Sequence, residues 1–498
     1  MVRYGLLMLP SIQLDSSAAK PLYRQLHEQL REFIVSGRIG QGERLPATRE
    51  LAGSLGLNRA TVASAYELLG QEGLLKGQVG RGSFVDTGFE HGNRIAWDQL
   101  GPQSSSMQAT AAPFSTAGIS FASSRPAGEL FPLEDFRTAC REVIQGEAAL
   151  SILQLGSPFG YPALREHLLE EARRAGDAHP SDDIAITSGC QQALDLLQRV
   201  LIRPGDAVAL EDPVYPGLRN VFAAAGARLI GIPVGPHGID LSSFEGALER
   251  EKPRLVLVTS NFQNPTGATM PLAARQTLLR LAGQAGVVIV ENDIYGALRY
   301  EGDPLPTIKH LDPAGDVILI RSFSKIAFPG LRVGWVIAPK PVIARLVDAK
   351  QCCDLHSDQL AQAVLHRFAQ SGRLAAHLKK VLHAGTKRLA AVLSSCDAHM
   401  PAGTRFTRPQ GGMSLWVRLP EGIDAGELLP RAERAGVNYL PGKYFAVTRP
   451  ESAALRLSFA GVAPDRIRAG VAVLGEIFGK ELERVRAARE SGPRPALV

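Results

Sequence analysis

Runs of apolar residues alternate with helical segments along most of the chain after about residue 119. The clearest runs are rich in valine and isoleucine: Val256–Thr259, Val287–Val290, Val317–Ile320 and Val333–Ala338. Continuous apolar strands separated by helices are typical of parallel sheets that are buried on both faces. The pattern therefore predicts an α/β domain whose mainly parallel sheet is covered by helices on both sides.

A different pattern occupies residues from about 15 to 87. Its first predicted helix has an apolar stripe at helical spacing, formed by Leu22, Leu26, Leu30, Phe33 and Ile34. A second helix is predicted over Arg49–Leu55 and a third over Arg59–Leu69, with Asn58 as the N-cap of the third. The glycine-rich stretch Leu74–Val85 then predicts a two-stranded wing.

Length and composition indicate a globular chain of several domains. Its 498 residues correspond to about two to four domains. With 45% hydrophobic and 21% charged residues, a largely disordered or fibrous chain is excluded. No run approaches the roughly 18 apolar residues of a membrane-spanning helix. Five cysteines without a C-x-x-C pair imply neither a disulfide framework nor a zinc site. We therefore expect a cytoplasmic protein that does not enter a membrane.

Domain boundaries follow from these shifts in composition. We assign 15–87 to the helical N-terminal domain, 88–118 to a linker, 119–485 to the α/β body and 486–498 to a disordered tail. The formal net charge of +6 is spread over the whole length, so it does not by itself indicate a nucleic-acid partner.

The third predicted helix has the surface chemistry of a DNA-reading helix. Its outward face carries small and hydrogen-bonding side chains, namely Arg59, Thr61, Ala63 and Ser64. Such a face fits a major groove, because no bulk prevents approach to the base edges. Lys76 and Arg81 in the wing are placed to contact phosphates. A helical domain that serves only oligomerisation is the alternative on periodicity alone.

Residue-level resemblance favours DNA binding. PLYRQLHEQLREFI, GERLPATRELA, LNRATVASAYELL and GRGSFV together resemble the GntR-type winged helix–turn–helix. The resemblance implies that Arg49, Arg59 and Thr61 contact phosphates and bases, and that Gly82 is the wing tip entering a minor groove. The implied partner is a double-stranded DNA operator.

In the α/β body, SFSK places Lys325 in a loop after an apolar strand, and Arg332 follows seven residues later. A lone lysine in a loop is usually a solvated surface residue. A lysine among hydroxyls and an arginine is instead what a pyridoxal phosphate site needs. The amine can form the Schiff base, and Ser322, Ser324 and Arg332 can bind the phosphate.

Further polar residues follow other predicted strands. Gly189, Cys190 and Gln191 lie in a turn before a helix, and main-chain amides at a helix start can bind an anion. Asn264 and Tyr295 could hydrogen-bond the 3′ oxygen of the cofactor ring. Tyr215 could stack on that ring, although an isolated tyrosine is more often core packing. Arg456 could pair with a ligand carboxylate, its alternative being an ordinary ion pair.

Eight motifs together resemble class I aminotransferases over roughly residues 119–480. In chain order they are SGCQQ, EDPVYPG, NPTG, DIYG, SFSK, PGLRVGW, PQGGM and LRLSF. The resemblance implies fold type I: a doubly wound domain that holds pyridoxal 5′-phosphate, a smaller C-terminal α+β domain, and an active site at a homodimer interface. A GntR-type domain joined by a linker to such a body resembles the MocR/GabR family of bacterial transcriptional regulators, whose dimers can be head-to-tail.

The sequence departs from the aminotransferase pattern at one position. In relatives with this spacing, an aspartate that binds the pyridine nitrogen lies three residues before the tyrosine and thirty-three before the lysine. Here both counts arrive at Asn292, and Asp293 is the next residue. Neighbours on an extended strand point to opposite sides, so Asp293 replaces the aspartate only if the chain shifts locally. A neutral amide gives no countercharge to a protonated ring nitrogen.

These observations lead to one principal hypothesis and two alternatives. The principal hypothesis is a transcriptional regulator that senses an amine or amino acid by external aldimine formation at Lys325, with little transamination. The first alternative is an active aminotransferase with an accessory DNA-binding domain. The second is a regulator that senses pyridoxal phosphate itself.

Overall fold

The computed structural model describes residues 12–18, 20–78, 82–86 and 118–490, with side chains as far as Ala487. The chain divides into two compact units, residues 1–104 and 105–498. Each unit has its own hydrophobic core.

Among its described residues, the N-terminal unit has three helices and a wing, as the pattern predicts. Its elements are α1 (Leu22–Val35), α2 (Thr48–Leu55), α3 (Arg59–Gln71), β1 (Leu75–Gln78) and β2 (Gly82–Val85). The stripe of α1 is buried at Leu26, Leu30, Phe33 and Ile34. Asn58 caps α3, because its side chain accepts a hydrogen bond of 3.0 Å from the amide of Ala60. The two wing strands pair antiparallel, with Leu75 opposite Val85.

Helices and strands alternate along most of the second unit. Its helices are α4 (Leu133–Gln145), α5 (Ala149–Ile152), α6 (Pro162–Ala175), α7 (Cys190–Leu201), α8 (Pro216–Ala224), α9 (Leu241–Glu251), α10 (Leu272–Ala285), α11 (Ile308–Leu311), α12 (Lys340–Asp354), α13 (Gln359–Gln370), α14 (Arg373–His399), α15 (Ala425–Arg434) and α16 (Pro464–Glu490). Its strands are β3 (Ile119–Ser120), β4 (Asp182–Thr187), β5 (Ala207–Asp212), β6 (Arg228–Gly235), β7 (Gly238–Ile239), β8 (Leu255–Val258), β9 (Val288–Asn292), β10 (Ile318–Ser322), β11 (Gly334–Pro339), β12 (Arg405–Phe406), β13 (Ser414–Arg418), β14 (Val437–Asn438), β15 (Leu440–Pro441) and β16 (Ala454–Ser458).

The large sheet has eight strands in the order β4-β11-β10-β9-β8-β5-β6-β7. The strands from β10 to β6 pair in parallel, whereas β11 runs antiparallel to both of its neighbours. Alternate residues of β5 enter different cores, Val208 and Leu210 on one face and Ala209 on the other. Helices therefore cover both faces, and the predicted doubly wound sheet is confirmed.

A smaller C-terminal domain completes the unit. Its four strands pair antiparallel in the order β12-β13-β16-β15, and α14 to α16 pack around their core.

The last helix continues to Glu490, five residues past the end that the sequence predicted. Alanine, arginine and glutamate, which favour helices, fill this extension. The predicted boundary at residue 486 therefore falls inside this helix. Residues 491–498, and 88–117 of the predicted linker, lie outside the described residues. None of the helices in the described ranges is long and apolar enough to cross a bilayer.

Candidate functional site

The candidate residues of the α/β body meet beyond the carboxyl ends of the sheet strands. Gly189 follows β4, Asn264 comes after β8, and Lys325 follows β10. Ligands in open α/β sheets bind at this edge, because loops there surround a crevice between neighbouring strands. The topology thus gathers residues that are far apart in the sequence.

Lys325 ends a short 3₁₀ turn, Phe323–Lys325, directly after β10. Its Nζ donates a hydrogen bond of 2.9 Å to the main-chain oxygen of Ser124 and lies 5.7 Å from the ring centre of Tyr295. Burial, with a smaller contribution from the nearby cations Arg456 and Arg332, lowers the pKa of Lys325 to about 8. A substantial part of this amine is therefore neutral near physiological pH, as a nucleophilic amine must be.

An anion cradle forms next to this lysine. Ser322 Oγ and Ser324 Oγ are 3.0 Å apart, and Arg332 Nη1 donates to Ser324 Oγ over 3.3 Å. Gly189 has φ +78°, and a Cβ there would lie 2.4 Å from Arg332 Nη2. A side chain at this position would therefore displace the guanidinium. Helix α7 starts at Cys190 and turns its first amides toward the same crevice edge.

Three of the predicted cofactor-binding residues differ in the surroundings of their side chains. Gln191 Nε2 donates to the oxygen of Gly217 over 3.0 Å, so its side chain supports the neighbouring turn and only its amide belongs to the helix start. Burial raises the pKa of the Cys190 thiol, which therefore stays neutral. Burial likewise raises the pKa of Tyr215, which immediately precedes α8.

A hydrogen-bonded chain links Tyr295, Asn264 and Arg456. Asn264 Nδ2 donates to the Tyr295 hydroxyl over 3.3 Å, and Arg456 Nη1 donates to Asn264 Oδ1 over 2.9 Å. Burial raises the pKa of Tyr295, which keeps its hydroxyl protonated and able to donate. Asn264 therefore contacts both Tyr295, the other group predicted to face the ring oxygen, and Arg456, the predicted carboxylate clamp.

Arg456 lies on β16 and is only 3% exposed. Its Nη2 donates to the main-chain oxygen of Ala122, and its guanidinium stands 5.1 Å from the ring centre of Phe445. No carboxylate of the described residues pairs with it, and its Nε has no hydrogen-bond partner among them. Burial lowers the pKa of Arg456 to about 10, since the charge is poorly solvated. An ordinary ion pair within the described chain therefore does not explain this arginine.

Asn292 and Asp293 point to different environments. Asn292 Nδ2 donates to Thr259 Oγ1 over 3.4 Å, while its Oδ1 is buried without a partner among the described residues. Asp293 instead accepts from Asn261 Nδ2 over 2.9 Å and pairs with Arg321 over 3.0 Å. The Asp293 carboxylate is therefore committed elsewhere, and the inward local shift considered above does not occur. Of the two, only Asn292 offers an unused acceptor.

In the N-terminal unit, the predicted DNA contacts lie on one helix pair and the wing. Arg49 on α2 and Arg59 at the start of α3 are exposed, and Thr61 in the first turn of α3 is half-buried. Lys76 on β1 is 3.7 Å from the Asp86 carboxylate, a loose surface pair. Gly82 opens β2 with φ +108°. The predicted contact Arg81 lies outside the described residues.

Two features escaped the sequence analysis. Arg44 packs against the wing, where a Cβ on Gly82 would lie 2.9 Å from its Nε, and the GERLP motif could have indicated it. Ala122 and Ser124 reach the site through main-chain oxygens, for which the sequence carries no side-chain signal.

Comparison with known proteins agrees with this organisation. Residues 117–474 match the family described as aminotransferase class I and II, and residues 22–85 match the bacterial regulatory proteins of the gntR family. The probable rhizopine catabolism regulatory protein MocR of Rhizobium meliloti is 30% identical over 93% of this chain and 95% of its own length.

Two solved structures resemble the body. Kynurenine aminotransferase from Pyrococcus horikoshii has a TM-score of 0.72 at 37% identity, over 74% of this chain and 92% of that one. LysN, an α-aminoadipate aminotransferase from Thermus thermophilus complexed with N-(5′-phosphopyridoxyl)-L-leucine, has a TM-score of 0.69 at 36% identity, over 74% and 93%.

The cofactor implied by these relatives is pyridoxal phosphate, and the residues present fit it. The buried Oδ1 of Asn292 lacks a partner within the described chain and can accept from a ring N–H. The absence of a side chain at Gly189 leaves Arg332 close to the amides that start α7. The buried amine of Lys325 has a lowered pKa. The chain therefore belongs to the class I and II aminotransferase family and joins that pyridoxal phosphate-dependent fold to a gntR-type DNA-binding domain, as MocR-type transcriptional regulators do.

Proposed function

We propose that the protein is a transcriptional regulator that senses an amine or amino acid at its pyridoxal phosphate site. Lys325 would hold the cofactor and would be released when the amine of the effector takes its place. The observation that carries this proposal is the pair Asn292 and Asp293, because the site keeps a lysine of low pKa but lacks a carboxylate for the ring nitrogen.

Each part of the site has a separate task in this proposal. Ser322, Ser324, Arg332 and the amides at the start of α7 would bind the phosphate. Asn264 and Tyr295 would hydrogen-bond the ring oxygen, and Tyr215 would stack on the ring. When bound, pyridoxal phosphate supplies an aldehyde that condenses with amines and a ring that withdraws electrons.

Asn292 would favour sensing over turnover. Its Oδ1 can accept a hydrogen bond from a ring N–H, but an amide carries no negative charge that would keep this nitrogen protonated. Asp293 cannot supply the charge without breaking its bonds to Asn261 and Arg321. Electron withdrawal by the ring would therefore be weaker, and an amino acid would bind without rapid conversion.

Arg456 would select for a carboxylate on the effector. A buried guanidinium with only neutral partners gains much from an anion, because a charge-assisted bidentate pair replaces lost hydration. An amino acid would thus be held at both ends, by the site of Lys325 and by Arg456.

Effector binding would change DNA binding through a shift between two arrangements of the protein. The effector must prefer one arrangement, since a ligand with equal affinity for both shifts nothing. We propose a homodimer that presents two N-terminal domains to operator half-sites in the cytoplasm, where the DNA is. Three exposed leucines, Leu150, Leu153 and Leu155, are 82%, 66% and 80% exposed and give the body an apolar surface for a second copy.

Absorbance of the full-length protein tests the cofactor assignment. Reconstituted wild-type protein should show the visible band of lysine-bound pyridoxal phosphate, and Lys325→Ala should lack it. An amino-acid effector should then alter this band without sustained product formation. A band that persists in Lys325→Ala would contradict the assignment of Lys325.

An active aminotransferase is the second candidate, favoured by Lys325, the anion cradle and Arg456, which the site retains. Steady conversion of an amino acid and a 2-oxo acid at about 1–1000 per second would support it over the sensor. A regulator that senses the cofactor itself would instead bind DNA differently in its apo and holo forms, without added amine.

A further inference from the structure

We propose that residues 121–125, called the strap, compete with the carboxylate of an amino-acid effector for Arg456. An effector with a carboxylate would release the strap, and a simple amine would not. This inference rests on the proposed function, because it places the effector between Lys325 and Arg456.

The strap is joined to the site by two main-chain oxygens. Arg456 Nη2 donates to the oxygen of Ala122, and Lys325 Nζ donates to the oxygen of Ser124. Arg456 is the cation to which the effector carboxylate would bind, and Lys325 is the amine whose place the effector amine would take. The strap therefore uses the same hydrogen-bond donor that the effector carboxylate needs.

In the described part of the chain, few main-chain hydrogen bonds hold residues 122–124 of the strap. Phe121 is fully buried, donates to Asn438 and accepts from Ser458, each over 2.9 Å. Within the described ranges, the amides of Ala122, Ser123 and Ser124 donate to no main-chain oxygen. Phe121 is thus a fixed anchor, whereas Ala122 and Ser124 are held through their main-chain oxygens by Arg456 and Lys325.

One of the two nitrogens on the guanidinium edge of Arg456 that could bind a carboxylate already donates to the strap. Its side-on edge consists of Nε and Nη2, of which Nη2 donates to Ala122 and Nε has no partner in the described part of the chain. A bidentate carboxylate would take both donors, and a charged acceptor binds more strongly than a neutral carbonyl. The Ala122 oxygen would then lose its donor.

The position of the strap beside the predicted linker connects this competition with the N-terminal domain. It begins directly after β3, the first strand that the described residues show beyond the N-terminal domain. β3 is only two residues long and pairs with β14. Release of the strap would therefore loosen the chain next to the end of the predicted linker, and the effector carboxylate would be the group that causes it.

The experiment uses two probes that differ only in the carboxylate. Full-length apo-protein is loaded with N-(5′-phosphopyridoxyl)-L-leucine or with the conjugate of 3-methylbutylamine, which is the same molecule without the carboxylate. Hydrogen exchange of peptides that cover residues 119–127 is then measured, with residues 288–292 of β9 as the internal control. We expect the leucine conjugate to speed exchange of residues 122–125 by about tenfold relative to the amine conjugate, because release would expose the amide of Ala122, a residue that is only 3% exposed while the strap is held.

Equal or slower exchange with the leucine conjugate, when both probes are bound, would overturn the strap proposal while leaving the cofactor site intact. Failure of both probes to bind would overturn the cofactor site itself and the strap proposal with it. In Arg456→Gln the two probes should give the same exchange. A tenfold difference that persists in this variant would show that a group other than Arg456 binds the carboxylate, which would overturn the strap proposal.

Discussion

The lowered pKa of Lys325 predicts how fast the apo-protein captures its cofactor at each pH. Only the neutral amine attacks an aldehyde, so the capture rate follows the neutral fraction. With a pKa of about 8, roughly one quarter of the amine is neutral at pH 7.5. An amine at the ordinary value of 10.5 would be only about 0.1% neutral. Lys325 should therefore react about two hundred times faster at this pH than a solvated lysine of equal intrinsic nucleophilicity.

Replacing Arg456 should change the pKa of Lys325 in a direction that follows from its charge. Burial is the main cause of the low pKa, and the positive charge of Arg456 adds to it by disfavouring a second cation. Arg456→Gln removes that charge and should raise the pKa of Lys325. Capture by the variant should consequently be slower at pH 7.5, with its midpoint at a higher pH than in the wild type.

Stopped-flow absorbance measures both effects. Apo-protein is mixed with pyridoxal phosphate between pH 6 and 10, and the same titration with butylamine corrects for ionisation of the cofactor. We expect a wild-type midpoint near pH 8. A rate that rises only near pH 10, or a midpoint that moves to lower pH in Arg456→Gln, would refute the reasoning.

Three further substitutions test the cofactor site and the DNA-binding domain. Asn292→Asp should supply the missing countercharge and raise single-turnover conversion of an amino acid by at least about tenfold; a change below twofold would show that the ring nitrogen does not face this residue. Gly189→Ala should weaken pyridoxal phosphate binding by at least about tenfold in equilibrium titration, because its Cβ would lie 2.4 Å from Arg332 Nη2. Gly205→Ala is the matched control, since Gly205 has φ +89° but nothing within 4 Å of its Cβ, and equal loss in both variants would attribute the effect to backbone strain alone. Arg59→Ala should cost about 1–3 kcal/mol of operator binding in fluorescence anisotropy and relax specificity, whereas equal loss on random DNA would mean that Arg59 contacts only phosphate.

Local patterns in the sequence were sufficient for most of the fold. The apolar stripe of α1 predicted its buried face, and Asn58 predicted the start of α3 because its side-chain oxygen caps a free amide. The apolar run Val333–Ala338 predicted a strand but not its direction, and β11 proved antiparallel inside a mainly parallel sheet. Strand direction depends on pairing between distant segments, which a local run does not record.

The candidate site was predictable where side chains carry the chemistry. Lys325, Arg332 and Arg456 stand out as residue types, and the structure brings them to one crevice. The ion pair and hydrogen bond of Asp293 were not predictable, since Asn261 follows β8 and Arg321 lies on β10, both distant in the sequence. The role of the strap's main-chain oxygens could not be predicted from the sequence either, because every residue has a main-chain oxygen.

Operator binding tests the central claim most directly. The affinity of full-length protein for DNA from upstream of its own gene is measured with and without an amino-acid effector, in the wild type and in Lys325→Ala. The account predicts that the effector changes the wild-type affinity and that Lys325→Ala binds the same DNA without responding. An effector response that persists unchanged in Lys325→Ala would contradict it.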